Sequence, residues 1–123
     1  MMRPLLLVAL GGALGSVLRY LTSEFFKKFT YQAFPIGTFV ANIAGCLLIG
    51  ILIGSIDKSG NDNAPLKWLL VTGFCGGYTT FSTFSYENLR LFQQGNYGLA
   101  LLYMGSSILL GLLAVGLGLF LVK

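Results

Sequence analysis

Residues 73–84 read GFCGGYTTFSTF, inside an otherwise apolar stretch that begins near Trp68 and ends near Tyr86. Three glycines, Gly73, Gly76 and Gly77, are followed closely by Thr79 and Thr80. A Gly-Gly pair costs a helix interior about 2 kcal/mol relative to Ala-Ala. The run therefore marks a kink or an unwound turn. Irregular backbone at membrane depth is tolerated only where it is buried in protein or lines a cavity. Two readings stay open on these residues: a packing kink, or a broken helix whose freed carbonyls bind a cation.

Membrane depth is the right frame because of the composition around this run. The chain has 123 residues, 55% of them hydrophobic and 10% charged. A soluble domain carries about 25% charged residues, so the surface must face lipid. Four stretches reach the roughly 20 apolar residues that a spanning helix needs. They run from about 4–22, 36–56, 68–86 and 98–122, with Pro4 and Pro35 at the first two starts. The expected fold is an all-α membrane protein, one domain over 1–123, with four transmembrane helices and the third broken near its middle. The first stretch has the length of a signal peptide. Arg19, however, stands where a cleavage motif needs small residues, and no polar mature region follows.

The connections are short. Residues 24–32 are polar and basic, 57–65 (DKSGNDNAP) are dense in turn formers, and 92–96 (FQQGN) form a tight turn. No soluble domain fits between them. Function is expected inside the membrane, which excludes enzymes and receptors built on large water-facing sites. The chain is not read as an enzyme. Its basic residues are scattered singly, against the clustered face of a nucleic-acid binder. There is no His, and Cys46 and Cys75 fall in apolar runs as small buried hydrophobes.

Polar residues inside the spans are functional candidates. Phe81 and Phe84 are three apart, on one face of a resumed helix. They read either as core packing or as rings whose positive edges face a small anion. Ser82, Thr83 and Ser85 add hydroxyl donors. Thr38 and Asn42 share a face of the second span, where the Asn42 amide is a donor or simply helix-to-helix glue. Tyr103 and Ser107 repeat that spacing in the fourth, beside Ser106, with bonding to their own helix backbone as the alternative. Glu87 reads by itself as an interfacial carboxylate near Arg90. Arg19 either snorkels or concentrates anions in an entry vestibule. Gly11 with Gly15, and Gly50 with Gly54, form GxxxG pairs that favour close packing and a homodimer.

At this point three segments coincide with a known pattern: GGALGSVLRY at 11–20, PIGTFVANIAGC at 35–46 and, most specifically, GFCGGYTTFSTFSYE at 73–87. Over essentially its whole length the chain resembles the Fluc/CrcB family of fluoride channels. The resemblance implies a passive, fluoride-selective channel that exports toxic cytoplasmic fluoride across the bacterial plasma (inner) membrane. It implies an antiparallel, dual-topology homodimer with two pores, whose partners are fluoride, lipid and a second copy of the chain. Phe81 and Phe84 match the family's phenylalanine box and Asn42 its pore asparagine. Thr38, Ser82, Thr83, Tyr103 and Ser107 match its polar track, with Glu87 at the acidic end. Gly111, one turn past Ser107, supplies no further hydroxyl. Gly76 and Thr79 match positions whose backbone carbonyls hold a structural sodium ion, and Arg19 matches the vestibule arginine. The competing class is a proton-coupled exporter of the small multidrug type. Such a pump needs a carboxylate at membrane depth in its first span, and Glu24 lies at the end of that span, after Arg19.

The charge pattern bears on topology. With four spans, one side holds Arg3, Lys58, Lys67 and Lys123 and the other Arg19, Lys27, Lys28 and Arg90. The acids divide as Asp57 and Asp62 against Glu24 and Glu87. An excess of Lys and Arg normally fixes the cytoplasmic side, and here neither side has one. The balance is either chance or a sign that copies insert both ways. Reporters fused to the C-terminus are expected to show activity on both sides of the membrane. Activity confined to one side would exclude dual insertion.

Overall fold

Long apolar runs, with their backbone groups satisfied internally, become long helices. The computed structural model describes residues 1–29, 34–60 and 64–123, and the described residues are helical apart from short connections. Helices α1 (Met2–Lys27) and α2 (Ile36–Ser59) form the first half. A composite rod, α3, follows: a turn over Ala64–Leu66, a π-wound stretch over Lys67–Cys75 and a closing turn over Gly76–Tyr78. Helix α4 (Phe81–Gln93) and helix α5 (Tyr97–Leu121) complete the chain. Helices α1, α2 and α5 are each long and apolar enough to cross a bilayer. The remaining expected span is α3 plus α4, divided at its break.

Several boundaries differ from the sequence expectation: the third span, expected over 68–86, runs from Ala64 to Gln93 around its break. Helix α1 continues through Glu24 to Lys27, where the two form an i,i+3 ion pair at 2.8 Å instead of opening a loop. Helix α2 takes up Asp57–Ser59 and stops at Gly60, whose φ of 70° ends it in the left-handed region. Thr30, Tyr31 and Gln32 of the first expected loop, and Asn61, Asp62 and Asn63 of the second, lie outside the described residues. The expected turn at 92–96 is a Schellman motif: Gly95 has φ 81°, Asn96 N–H donates to the Leu91 carbonyl and Gly95 N–H to that of Phe92.

The break falls later than the glycines. Gly73, Gly76 and Gly77 remain helical, and the chain unwinds only at Thr79 (φ −86°, ψ 158°) and Thr80 (φ −151°, ψ 114°). The glycines instead let two backbones touch. A β-carbon at Gly11 or Gly15 would overlap the carbonyl of Leu69 or Phe74. In return, one at Gly73 would meet the Val8 carbonyl oxygen at 2.9 Å and one at Gly77 that of Gly12 at 2.6 Å. Contact with α1 thus holds the weak helix former straight. Thr-Thr, with two β-branched side chains, takes the extended conformation it favours. Helices α2 and α5 meet the same way, Gly50 against Val115 and Gly118 against Leu47.

Large apolar side chains point outward, as a lipid-facing surface requires: Leu112 is 70% exposed and Phe120 69%. The tightest core is small and aromatic. Tyr103, fully buried, packs with Leu91 and Ala100 and is ringed by Phe34, Phe39 and Phe84.

Helix propensity alone makes Gly→Ala favourable by about 1 kcal/mol. Gly116 has open space around it, whereas Gly15 faces backbone. Gly116→Ala is therefore expected to raise the unfolding temperature in detergent. Gly15→Ala should lower it, because overpacking costs about 1–3 kcal/mol and exceeds the propensity gain.

Candidate functional site

Unwinding a helix at two residues orphans backbone donors and acceptors on both sides of the gap. Their partners organise the site. In an unbroken helix the Thr80 N–H would bond the Gly76 carbonyl. Here it donates to Asn42 Oδ1 at 2.8 Å, and Asn42 Nδ2 donates to the Thr80 carbonyl at 3.3 Å. The Gly77 carbonyl accepts from Arg19 Nε at 3.0 Å. Thr80 caps α4, its Oγ1 accepting from Thr83 N–H at 3.3 Å. Thr79 Oγ1 donates back to the Cys75 carbonyl at 2.9 Å. Neither the capping role of Thr80 nor the doubled contact of Asn42 was foreseen. A Thr directly before an amphipathic segment was the available signal for the cap; a long-range side chain–backbone bond leaves no such trace.

Beside the break lies an open cavity of about 490 Å³. Asn42, Phe81, Phe84 and Ser107 line it together with Gly76, Thr79, Thr80, Cys46 and Cys75. Among the described residues no charged side chain reaches its wall. Phe81 is 79% exposed, and its ring centroid lies 6.1 Å from that of Phe84. Phe84 is held from behind by Tyr103, edge to face at 5.0 Å. The Ser107 hydroxyl is buried with no partner among the described residues, whereas Ser106 bonds the Leu102 carbonyl of its own helix at 2.6 Å. Ser82 and Thr83 do not line the cavity.

A second constellation adjoins the first through Tyr103. Glu87 accepts from Thr38 Oγ1 and from the Tyr103 hydroxyl, each at 2.8 Å. One carboxylate so joins α2, α4 and α5. The reading of Glu87 as an Arg90 partner is not met: Arg90 donates to Tyr86 at 3.1 Å, and the one ion pair among the described residues is Lys27–Glu24. Holding the half-buried carboxylate between two hydroxyl donors satisfies both its oxygens without a cation.

The donor set on the break suits a hard cation only through backbone oxygen. Gly76, whose expected helical donor (the Thr80 N–H) goes to Asn42 instead, is an exposed residue of α3. Among the described residues no cluster of three His, Cys, Asp or Glu could hold a metal.

Together the fold and site define a multi-pass, all-helical membrane protein with an uncharged, mostly apolar cavity that carries a few polar groups beside a broken helix. The chain belongs to the CrcB family: residues 6–119 match the family described as CrcB-like protein, Camphor Resistance (CrcB). It is 50% identical to the fluoride-specific ion channel FluC of Flavobacterium psychrophilum, over 99% of this chain and 98% of that one. The protein of the same name from Azobacteroides pseudotrichonymphae is 44% identical over 96% and 94%, and that from Acidobacterium capsulatum 48% over 90% and 89%.

Leaving a buried acceptor unsatisfied costs about 1–3 kcal/mol. Thr38→Val and Tyr103→Phe are each expected to lower the unfolding temperature in detergent. The double variant should lose more than the sum, because only there does Glu87 lack both donors. Strict additivity would show that Glu87 does not couple them.

Proposed function

We propose that this chain is a passive, fluoride-selective channel that relieves cells of cytoplasmic fluoride. Its similarity to fluoride-specific ion channels over nearly its full length carries the reading. The cavity chemistry supports it. A small anion leaving water must meet several donors at close range, yet no cation strong enough to trap it. The cavity offers the Asn42 amide, the Ser107 hydroxyl and the edges of Phe81 and Phe84. We assign Asn42, Phe81, Phe84 and Ser107 to the ion's path, with Thr38, Tyr103 and Glu87 as its polar continuation and Ser82 and Thr83 flanking it. Arg19 stands at its approach.

The working unit on this reading is an antiparallel homodimer with two pores. A ring as exposed as Phe81, beside a cavity open on one face, calls for a partner surface, and the balanced charges fit opposite insertion. The Gly76 and Thr79 carbonyls would hold a structural sodium ion between the two broken helices. Its role there is to offset the mutual repulsion of backbone oxygens.

Liposomes loaded with fluoride and chloride are expected to release fluoride and retain chloride through the purified protein, with no imposed proton gradient. Phe84→Ile should reduce efflux to the background of empty liposomes while the dimer persists on size exclusion. Equal chloride efflux, or a requirement for a proton gradient, would overturn the proposal.

A further inference from the structure

The break stands where side chains from two distant segments converge on the backbone, and not where the sequence is weakest as a helix. Gly76-Gly77 is the poorest helix-forming pair, yet both residues stay helical. The unwound step is Thr79–Thr80. On one side of it Arg19, 58 residues distant in sequence, donates to the Gly77 carbonyl; on the other Asn42, 38 residues distant, takes the Thr80 N–H and returns a bond to the Thr80 carbonyl. Each contact stands in for a lost helical one. Arg19 replaces the donor that Phe81 would have offered to Gly77 in a continuous helix, and Asn42 replaces the acceptor that Gly76 would have offered to Thr80.

We propose that Arg19 and Asn42 are positioning residues that form a two-point clamp on the broken helix, α1 holding one end of the Thr79–Thr80 step and α2 the other. The clamp fixes where α4 begins and therefore where the Phe81 ring stands. Beyond the N–H it can still offer to the ion, Asn42 acts through that ring, since one edge of its amide is already committed to Thr80. Arg19 acts by a hydrogen bond and not by its field. This deepens the channel reading and rests on the cavity being the ion's path. Satisfied backbone is what permits a break at membrane depth at all, so the two residues make a joint contribution and their losses overlap.

The test has a structural arm and a flux arm. Amide exchange of the full-length protein in micelles reads the clamp without fluoride. Asn42→Ala should speed exchange of the Thr80 amide about tenfold or more, the loss of roughly one hydrogen bond. Asn42→Asp, which keeps the acceptor for Thr80 N–H, should leave that amide near its wild-type rate. It also serves as the second variant if Asn42→Ala does not fold. In liposomes, Arg19→Gln and Asn42→Ala should each reduce fluoride efflux about tenfold, and the double variant should fall little further, as coupled sites do. The ratio of wild-type to Arg19→Gln efflux should hold from low to high ionic strength, whereas a field effect would be screened. Unchanged Thr80 exchange in Asn42→Ala, multiplicative flux losses, or a ratio that collapses with salt would each overturn the clamp. If the exchange pattern holds but wild-type protein passes no fluoride, the clamp stands and the channel reading fails.

Discussion

A backbone amide cannot be left bare in hydrocarbon. Most membrane helices meet that constraint by never stopping, and here the third one stops. The consequences spread outward from Thr79 and Thr80. Thr80 must cap the helix that follows, Asn42 must lean across from α2, and Arg19 must reach over from α1. The reach of Arg19 follows from α1 and α3 running with their backbones in contact, which places glycine at Gly11, Gly15, Gly73 and Gly77. One local interruption thus involves side chains on two other helices and goes with the close packing of one of them.

The same economy governs the polar side chains. Glu87 is the most expensive group in its neighbourhood, and two neutral hydroxyls on different helices satisfy it. The Tyr103 ring that carries one of them also backs Phe84. Hydrogen bonding and aromatic packing are therefore not separate layers: a shift of the tyrosine moves the carboxylate's donor and the phenylalanine's support together. By contrast, Ser107 keeps a hydroxyl in reserve beside the cavity.

Helix count, the broken third span and the family were legible because each rests on composition or on a long motif. Apolar runs bounded by Pro35 or by Gly-rich turns leave little freedom in where a helix lies. The break's position was less legible. Gly76-Gly77 carries the strongest local signal, but contact with α1, a tertiary effect, keeps it wound. Glu87 shows the same limit. Arg90 is its obvious neighbour along the chain, while its actual donors come from α2 and α5. Local rules found the pieces that depend on neighbours in sequence; they missed those that depend on what stands across a helix interface.

The contact between Asn42 and Thr80 also has a genetic consequence. It needs one donor and one acceptor, side by side, at the reach of a single methylene. A single-base change in an asparagine codon yields Asp, His, Lys, Ser, Thr, Tyr or Ile. None of these presents that fork at that length, and glutamine, the one other amide, is not among them. Asp, one base away, keeps the acceptor for the Thr80 N–H but not the donor to the Thr80 carbonyl, so no single-base step keeps both bonds.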